Sequence, residues 1–287
     1  MCYQCGSPSR RIFTRFLAAG AGLTVLAACT PEAPKAVAPS SSAPSSASPS
    51  PSAAVTASAS PTAETATVSQ SPETPSPTPS PSTALARQFS LDDPKSPWVI
   101  VNKHRPLKPA DYVPADLVRP GVAISAAGEA ALLNSTTAAA AEAMFAAAAA
   151  DGVAMVLASG YRSYNTQVAT YNGYVAARGQ ADADTASARP GHSEHQTGWA
   201  FDIGDGGGAC SFEPCFAEQP AATWAKANGH RFGFVVRYPW MLHPITGYFY
   251  EPWHLRYVGV EAATDMLNRD IGTLEEYFGL EAAPAYL

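Results

Sequence analysis

Cysteine is scarce in this 287-residue chain: five in all, three of them within the first 29 positions. Charge is thin as well, with 18 basic residues against 24 acidic ones. That balance excludes nucleic acid as a partner, which would demand a basic face. No glycine-rich phosphate loop and no long βαβ rhythm is present, which excludes the doubly wound nucleotide-binding folds. The apolar run Phe16–Ala28 is too short to span a bilayer as a mature helix. What remains is an acidic chain with a small number of chemically able side chains.

The first 87 residues read as an address. Ser9-Arg10-Arg11-Ile12-Phe13 is a twin-arginine pattern ahead of the apolar run. Leu26-Ala27-Ala28-Cys29 resembles the lipobox of bacterial lipoproteins. It implies cleavage after residue 28 and a multi-chain lipid on Cys29, enough for stable membrane anchoring. Cys2 and Cys5 leave with the signal. So do its three arginines, after which 15 basic residues face 24 acidic ones. Residues 29–87 are almost wholly Pro, Ser, Thr and Ala, which cannot bury enough apolar surface to offset ordering entropy. As a proline-rich tether they reach on the order of 150 Å at full stretch.

Residues 88–287 suit one domain. Ser135 or a neighbouring threonine is expected to cap an alanine-rich helix through Ala150, ended by Asp151-Gly152. A buried strand over Val153–Ala158 leads to Ser159-Gly160-Tyr161-Arg162. Ser163 then caps a helix over Tyr164–Arg178, with Gly179 at its end. Trp199–Ile203 alternates as a strand, with Ala200 and Asp202 on one face and Trp199, Phe201 and Ile203 on the other. A helix over 217–228, strands over 232–237 and 248–258, and two carboxy-terminal helices follow. The second of these opens on a capping box, Thr273 with Glu276. Interspersed helices and strands predict an α+β domain on a small, mainly antiparallel sheet flanked by helices.

Two stretches carry chemistry. Ser193-Glu194-His195-Gln196-Thr197-Gly198-Trp199-Ala200-Phe201-Asp202 contains a His-x6-Asp pair, and Glu251-Pro252-Trp253-His254 contains Glu-x-x-His. Two imidazoles and a carboxylate are the ligands of a mononuclear zinc site with one position open, and Glu251 is a free base beside it. Residues three apart in a regular strand face opposite ways, so Glu251 and His254 need Pro252 to disturb the pleat. Arg162, at a strand-to-helix junction, offers a two-pronged donor for an oxyanion or carboxylate. His192 reads as a loop residue, His104, His230 and His243 as surface or capping residues, and Asp205 as turn chemistry. Cys210 and Cys215, five apart in a glycine-rich loop of an exported protein, predict one small disulfide.

These blocks, together with Ser159-Gly160-Tyr161-Arg162-Ser163, Gly191-His192 and Leu255-Arg256-Tyr257, resemble the VanY-type D-alanyl-D-alanine carboxypeptidases. Those belong with the lysostaphin and hedgehog-like zinc peptidases. The resemblance runs from about residue 97 to 260 and implies a hedgehog-like D,D-peptidase fold. It implies one Zn²⁺ held by His195, Asp202 and His254, with Glu251 as catalytic base and Arg162 at the developing oxyanion. Gln167, Ser193 and Tyr248 match the family's substrate contacts. The implied activity is hydrolysis of the terminal D-alanine of peptidoglycan stem peptides. The lipobox would anchor the chain to the membrane through Cys29, and a monomer is expected. The same site suits an L,D-carboxypeptidase or a wall endopeptidase. A wall-binding lipoprotein without catalysis fits less well, because Glu251 and the ligand set are intact. The cysteine loop after Asp202 departs from the family's pattern.

Overall fold

The computed structural model describes residues 88–287. The expected export signal, the expected lipidation of Cys29 and the expected tether over 29–87 lie outside the described residues. A two-stranded ribbon, β1 (Leu117–Val118) with β2 (Leu133–Asn134), leads into helix α1 (Ser135–Ala150). Alanine, the best helix former, makes up most of α1. Its cap is Asn134, one residue earlier than expected: the side-chain oxygen accepts from the backbone N–H groups of Thr136 and Thr137. Ser135 is diverted because its hydroxyl donates to Asp116 at 2.6 Å, beside the Asn134 amide on the same carboxylate. An acceptor brought in from β1's approach thus outcompetes local capping by Ser135.

Strand β3 (Val156–Ser159) follows, starting three residues later than expected. Helix α2 (Tyr164–Arg178) is capped by Ser163, which accepts from the Thr166 N–H, and closes at Gly179. A further helix, α3 (Gln180–Ala186), starts at once. Its sequence carries no apolar stripe, so periodicity does not predict it. Strand β4 (Ala200–Gly204), helix α4 (Pro220–Asn228), strand β5 (Phe234–Tyr238), the short helix α5 (His243–Thr246) and strand β6 (Glu251–Tyr257) complete the sheet region. Helices α6 (Val260–Asn268) and α7 (Leu274–Phe278) close the chain. Thr273 caps α7, accepting from the Glu276 N–H. The Glu276 carboxylate accepts from the Thr273 hydroxyl at 2.8 Å, where in a capping box it would accept from the backbone N–H.

The main sheet has the order β3-β4-β6-β5, antiparallel throughout. Its two faces differ in kind. Phe201, Ile203 and Leu255 turn to one side and pack under α1 and α4 with Leu157, Phe234 and Trp224. Ala200, Asp202, His254 and Arg256 turn to the other. Trp199 departs from the expected grouping with Phe201 and Ile203. It precedes β4 and packs with Val99, Val101 and Leu107, stacked on Tyr257. Cys210 and Cys215 are joined as a disulfide, Cα–Cα 5.5 Å, in the loop after β4, and Phe212 of that loop meets the Trp253 ring edge-on. Asp205 accepts from the N–H groups of Gly207 and Gly208, the turn chemistry expected of it.

Candidate metal centre

Register places the first two groups. Asp202 in β4 and His254 in β6 are directly paired across the sheet, so their side chains rise side by side from one face. His195 arrives from a single 3-10 turn, Glu194–Thr197, that ends on Gly198 in the left-handed conformation. A Cβ at Gly198 would stand 2.7 Å from the Asn134 nitrogen, so this turn can press against the start of α1 only with glycine there. Gly160 plays a similar part on the other side. A Cβ there would collide with the Leu132 carbonyl, and its own carbonyl accepts from Nδ1 of His195 at 2.8 Å. That bond leaves Nε2 of His195 facing inward with its lone pair free.

The three inward atoms converge. Asp202 Oδ1 lies 3.5 Å from His195 Nε2 and 3.2 Å from His254 Nδ1. One ligand atom from each of the three residues lies within 4.8 Å of the others. Tetrahedral zinc with bonds of about 2.0–2.1 Å sets ligand atoms roughly 3.3–3.4 Å apart, so the spacing fits one ion. A second observation agrees. Asp202 Oδ1 is buried without a hydrogen-bond donor, an arrangement that is costly unless a cation completes it. The donor set, two imidazoles and one carboxylate, suits zinc.

Electrostatics divides the site into roles. Burial raises the Asp202 carboxyl, but the neighbouring imidazoles outweigh it and hold the group well below the usual carboxylate range. Burial also keeps His195 neutral, pushing its pKa down. It opposes charge on His254 too, yet the Asp202 and Glu194 carboxylates in ion-pair contact with the ring prevail and lift it to about 9. Glu251 stands with Oε2 3.7 Å from His254 Nδ1, outside the three-atom cluster. Burial pushes its carboxyl up to about 7, with His254 and Arg162 pulling the other way. A base that is half-protonated near neutrality is matched to moving protons.

The expected pleat disturbance is present. Tyr238 of β5 pairs with Glu251 whereas Val236 pairs with Leu255, a register shift that leaves extra residues on β6 around Pro252. Glu251 and His254 thereby reach one spot. Arg162, whose N–H donates to the His195 carbonyl, points its guanidinium at Gln167 Oε1 (3.1 Å) and Ser159 Oγ (3.3 Å).

The expected substrate contacts fare differently. Gln167 is fully buried, and its amide donates to Ser187 Oγ and the Ala188 carbonyl while its oxygen takes Arg162. Its place is behind Arg162 rather than at an open surface. Ser193 is buried at the entry of the His195 turn. Tyr248 is buried with its ring against Tyr238, which in turn lies 4.9 Å from the His254 ring. Its hydroxyl meets that of Tyr286 at 3.3 Å. His192 is half-buried, held to the Asn102 carbonyl and edge-on to Tyr286. His104 pairs with the exposed Glu281 carboxylate at 3.1 Å.

Residue-by-residue reading of the motifs passes over an ion network behind the ligands. Glu194, Arg237, Arg256 and Glu275 all have fully buried side chains. Glu194 Oε1 accepts from Arg237 Nε at 2.8 Å and Arg256 Nη1 at 3.0 Å. Arg237 forks onto both oxygens of Glu275 at 2.7 and 3.0 Å. Burial raises the Glu194 carboxyl, but the two guanidiniums overcome it and hold it far below the usual range. Glu194 and Arg256 lie inside the motif blocks themselves, which was the available signal. Arg237 and Glu275 sit in segments with no motif.

The chain is similar to several known proteins. A family model for VanY, D-alanyl-D-alanine carboxypeptidase, matches residues 130–260. The putative carboxypeptidase YodJ of Bacillus subtilis is 39% identical over 191 residues, 66% of this chain and 69% of YodJ. Among solved structures, the LdcB LD-carboxypeptidase, studied for peptidoglycan recognition, superposes with a TM-score of 0.61 at 39% identity, covering 65% of this chain and 87% of LdcB. A mutant of the vancomycin-resistance D,D-pentapeptidase VanY, solved with Zn(II), gives 0.52 at 35% identity, covering 63% of this chain and 97% of VanY.

Proposed function

Because the chain belongs to the VanY family of D-alanyl-D-alanine carboxypeptidases, we propose that it is a zinc peptidase removing the terminal D-alanine from peptidoglycan stem peptides. The observation that carries this reading is the convergence of His195, Asp202 and His254 on one point, with Glu251 beside it and outside the ligand set. His195 Nε2, Asp202 Oδ1 and His254 Nδ1 are the atoms that would hold the ion. When bound, zinc supplies Lewis-acid polarisation of a carbonyl and makes water a nucleophile at neutral pH.

Glu251 takes the proton from the attacking water and delivers it to the leaving amine, a two-way task that its pKa of about 7 suits. Arg162 donates to the carbonyl oxygen as negative charge develops there. Gln167 and Ser159 hold the guanidinium in place beforehand, so no reorganisation is needed at the moment of reaction. Tyr248 and Ser193, both buried, would meet the peptide's end from the wall of the site. The signal would export the chain, and the lipid on Cys29 and the 29–87 tether would hold this catalytic domain, a monomer, outside the membrane and facing the wall.

A second reading draws on LdcB, whose likeness here exceeds that of the VanY structure: the same residues would cut an L,D bond in a tetrapeptide stem. Mass spectrometry of defined tetra- and pentapeptide stems, with and without chelator, separates the two. Release of D-alanine from the pentapeptide, stopped by chelator and restored by zinc, is the expected result. Cleavage of the tetrapeptide alone would make it an L,D-carboxypeptidase. Cleavage that ignores the chelator would sink the metallopeptidase reading.

A further inference from the structure

Glu194 belongs to the first motif block and meets His254 and Arg256 of the second, yet nothing in the reaction outlined above uses it. Its two oxygens are treated unequally. Oε1 takes both arginines, Arg237 and Arg256. Oε2 is buried, has no hydrogen-bond donor, and lies 3.4 Å from Nε2 of His254. That nitrogen is itself buried without a hydrogen-bond partner. The separation is an ion-pair contact, slightly longer than a well-formed hydrogen bond, and each atom is the other's partner at hand. Glu275 differs: both its oxygens accept from one guanidinium, with the Asn102 amide also on Oε1. A network built for stability alone would have Glu194 fork onto an arginine in the same manner. Buried ion networks also rarely stabilise a fold more than apolar packing would. Crowding two guanidiniums onto one oxygen leaves the second oxygen free for His254.

We propose that Glu194 is a positioning residue of the metal site: its free carboxylate oxygen engages Nε2–H of His254 and so commits Nδ1 to the ion, while the Arg237–Glu275 pair holds Glu194 itself in place. The inference rests on the zinc reading. It deepens that reading by assigning a side chain to each imidazole's outer nitrogen. Gly160 offers a carbonyl to Nδ1 of His195, and Glu194 offers a carboxylate to Nε2 of His254. Such outer partners fix which ring nitrogen carries the proton and how the ring is turned. Strand β6 supplies both ends of the device, because His254 and Arg256 are two apart and share a face. The network also reaches out to α7 through Glu275, so the carboxy-terminal helix is tied to the metal ligand through three side chains.

The decisive variant is Glu194→Gln. Glutamine keeps the volume but offers one acceptor oxygen where three donors converge, namely Arg237 Nε, Arg256 Nη1 and His254 Nε2. Its NH₂ must oppose either the arginines or the imidazole. Arg237 retains Glu275, and Arg256 retains the Pro97 and Val99 carbonyls, so the fold keeps its other anchors. Zinc affinity, measured on purified protein against a chromophoric chelator, is expected to fall about 10–100-fold. In ¹H–¹⁵N spectra of the zinc-loaded protein, the His254 Nε2 proton should shift strongly or vanish, while that of His195 Nδ1 stays. Glu275→Gln should weaken zinc binding in the same direction by less. A folded Glu194→Gln protein with unchanged zinc affinity and unchanged His254 signal overturns the proposal. If that variant does not fold, the wild-type spectrum decides: zinc-loaded protein lacking a protected proton on His254 Nε2 overturns it too. Wild-type protein that binds no zinc at all would overturn the zinc reading and this inference together, a result plainly different from weakened binding in one variant.

Discussion

Strands β4 and β6 each present two opposite surfaces, and the contrast between them explains how this domain combines a rigid scaffold with a reactive centre. On one side Phe201, Ile203 and Leu255 form a dry core under two helices, with no ionisable group among them. On the other, Asp202, His254 and Arg256 alternate with them along the same strands. The apolar side fixes the strands; the polar side inherits that precision. Asp202 and His254 need no loop to bring them together, because sheet register alone sets their separation. His195, Glu251 and Arg162 come from a turn, a bulged strand end and a strand–helix junction, and each is secured by a particular bond or irregularity. Sites on rigid elements are more exact than sites on loops, and here the two kinds of support meet.

The sharpest way to separate the two faces is to remove chemistry without removing structure. Glu251→Gln should lower turnover by about 10²–10⁴-fold, the usual worth of a general base. It should leave zinc content and melting temperature close to wild type, since Glu251 lies outside the three-atom cluster. Stopped assays with metal analysis on the same samples check both halves. Loss of zinc together with rate would place Glu251 among the ligands instead.

The opposite test removes packing without removing chemistry. Phe201 is fully buried, edge-on to Phe234 and within 6.3 Å of the Phe145 ring. Phe201→Ala should cost about 3–5 kcal/mol of stability through lost burial and the cavity left behind. Its neighbours Ala200 and Asp202 face the other way, so the fraction still folded should bind zinc as before. Urea unfolding and zinc titration of the native fraction measure the two effects. A variant that stays stable yet loses zinc would show the faces to be less independent than the sheet implies.

The sequence already revealed one of these faces better than the other. His195, Asp202, His254 and Glu251 were legible because their spacings are peculiar and their residue types narrow. Helices α1 and α2 were legible from alanine content and from Ser163. The capping of α1 was misplaced because Asp116, a residue distant in sequence, captures the Ser135 hydroxyl, and no local rule sees that. Helix α3 carries no stripe to detect. Gln167 matched a substrate contact by type and offset, but its orientation behind Arg162 depends on how the 187–188 backbone passes it. Arg237 and Glu275 were illegible for a related reason. A charged residue in a strand or a short helix reads as a surface group until tertiary packing supplies its buried partner.

The smallest effect concerns protons, and it exists on one face alone. Without metal, His254 is lifted to about 9, because Asp202, Glu194 and Glu251 outweigh the burial that opposes its charge. His195 is already neutral, its pKa lowered by burial. At pH 7, therefore, coordination by Nδ1 requires one proton to leave His254 and none to leave His195. A group with a raised pKa holds its proton below that pKa, so zinc must compete for the site throughout that range. Apparent zinc affinity should rise about tenfold per pH unit, or about 1.4 kcal/mol, from pH 7 upward, and level off above about 9. Calorimetry in buffers of different ionisation heat should find close to one proton released per zinc at pH 7. No release, with affinity flat between pH 7 and 9, would mean that His254 is neutral in the metal-free protein. The carboxylates around it would then be holding a tautomer rather than a charge.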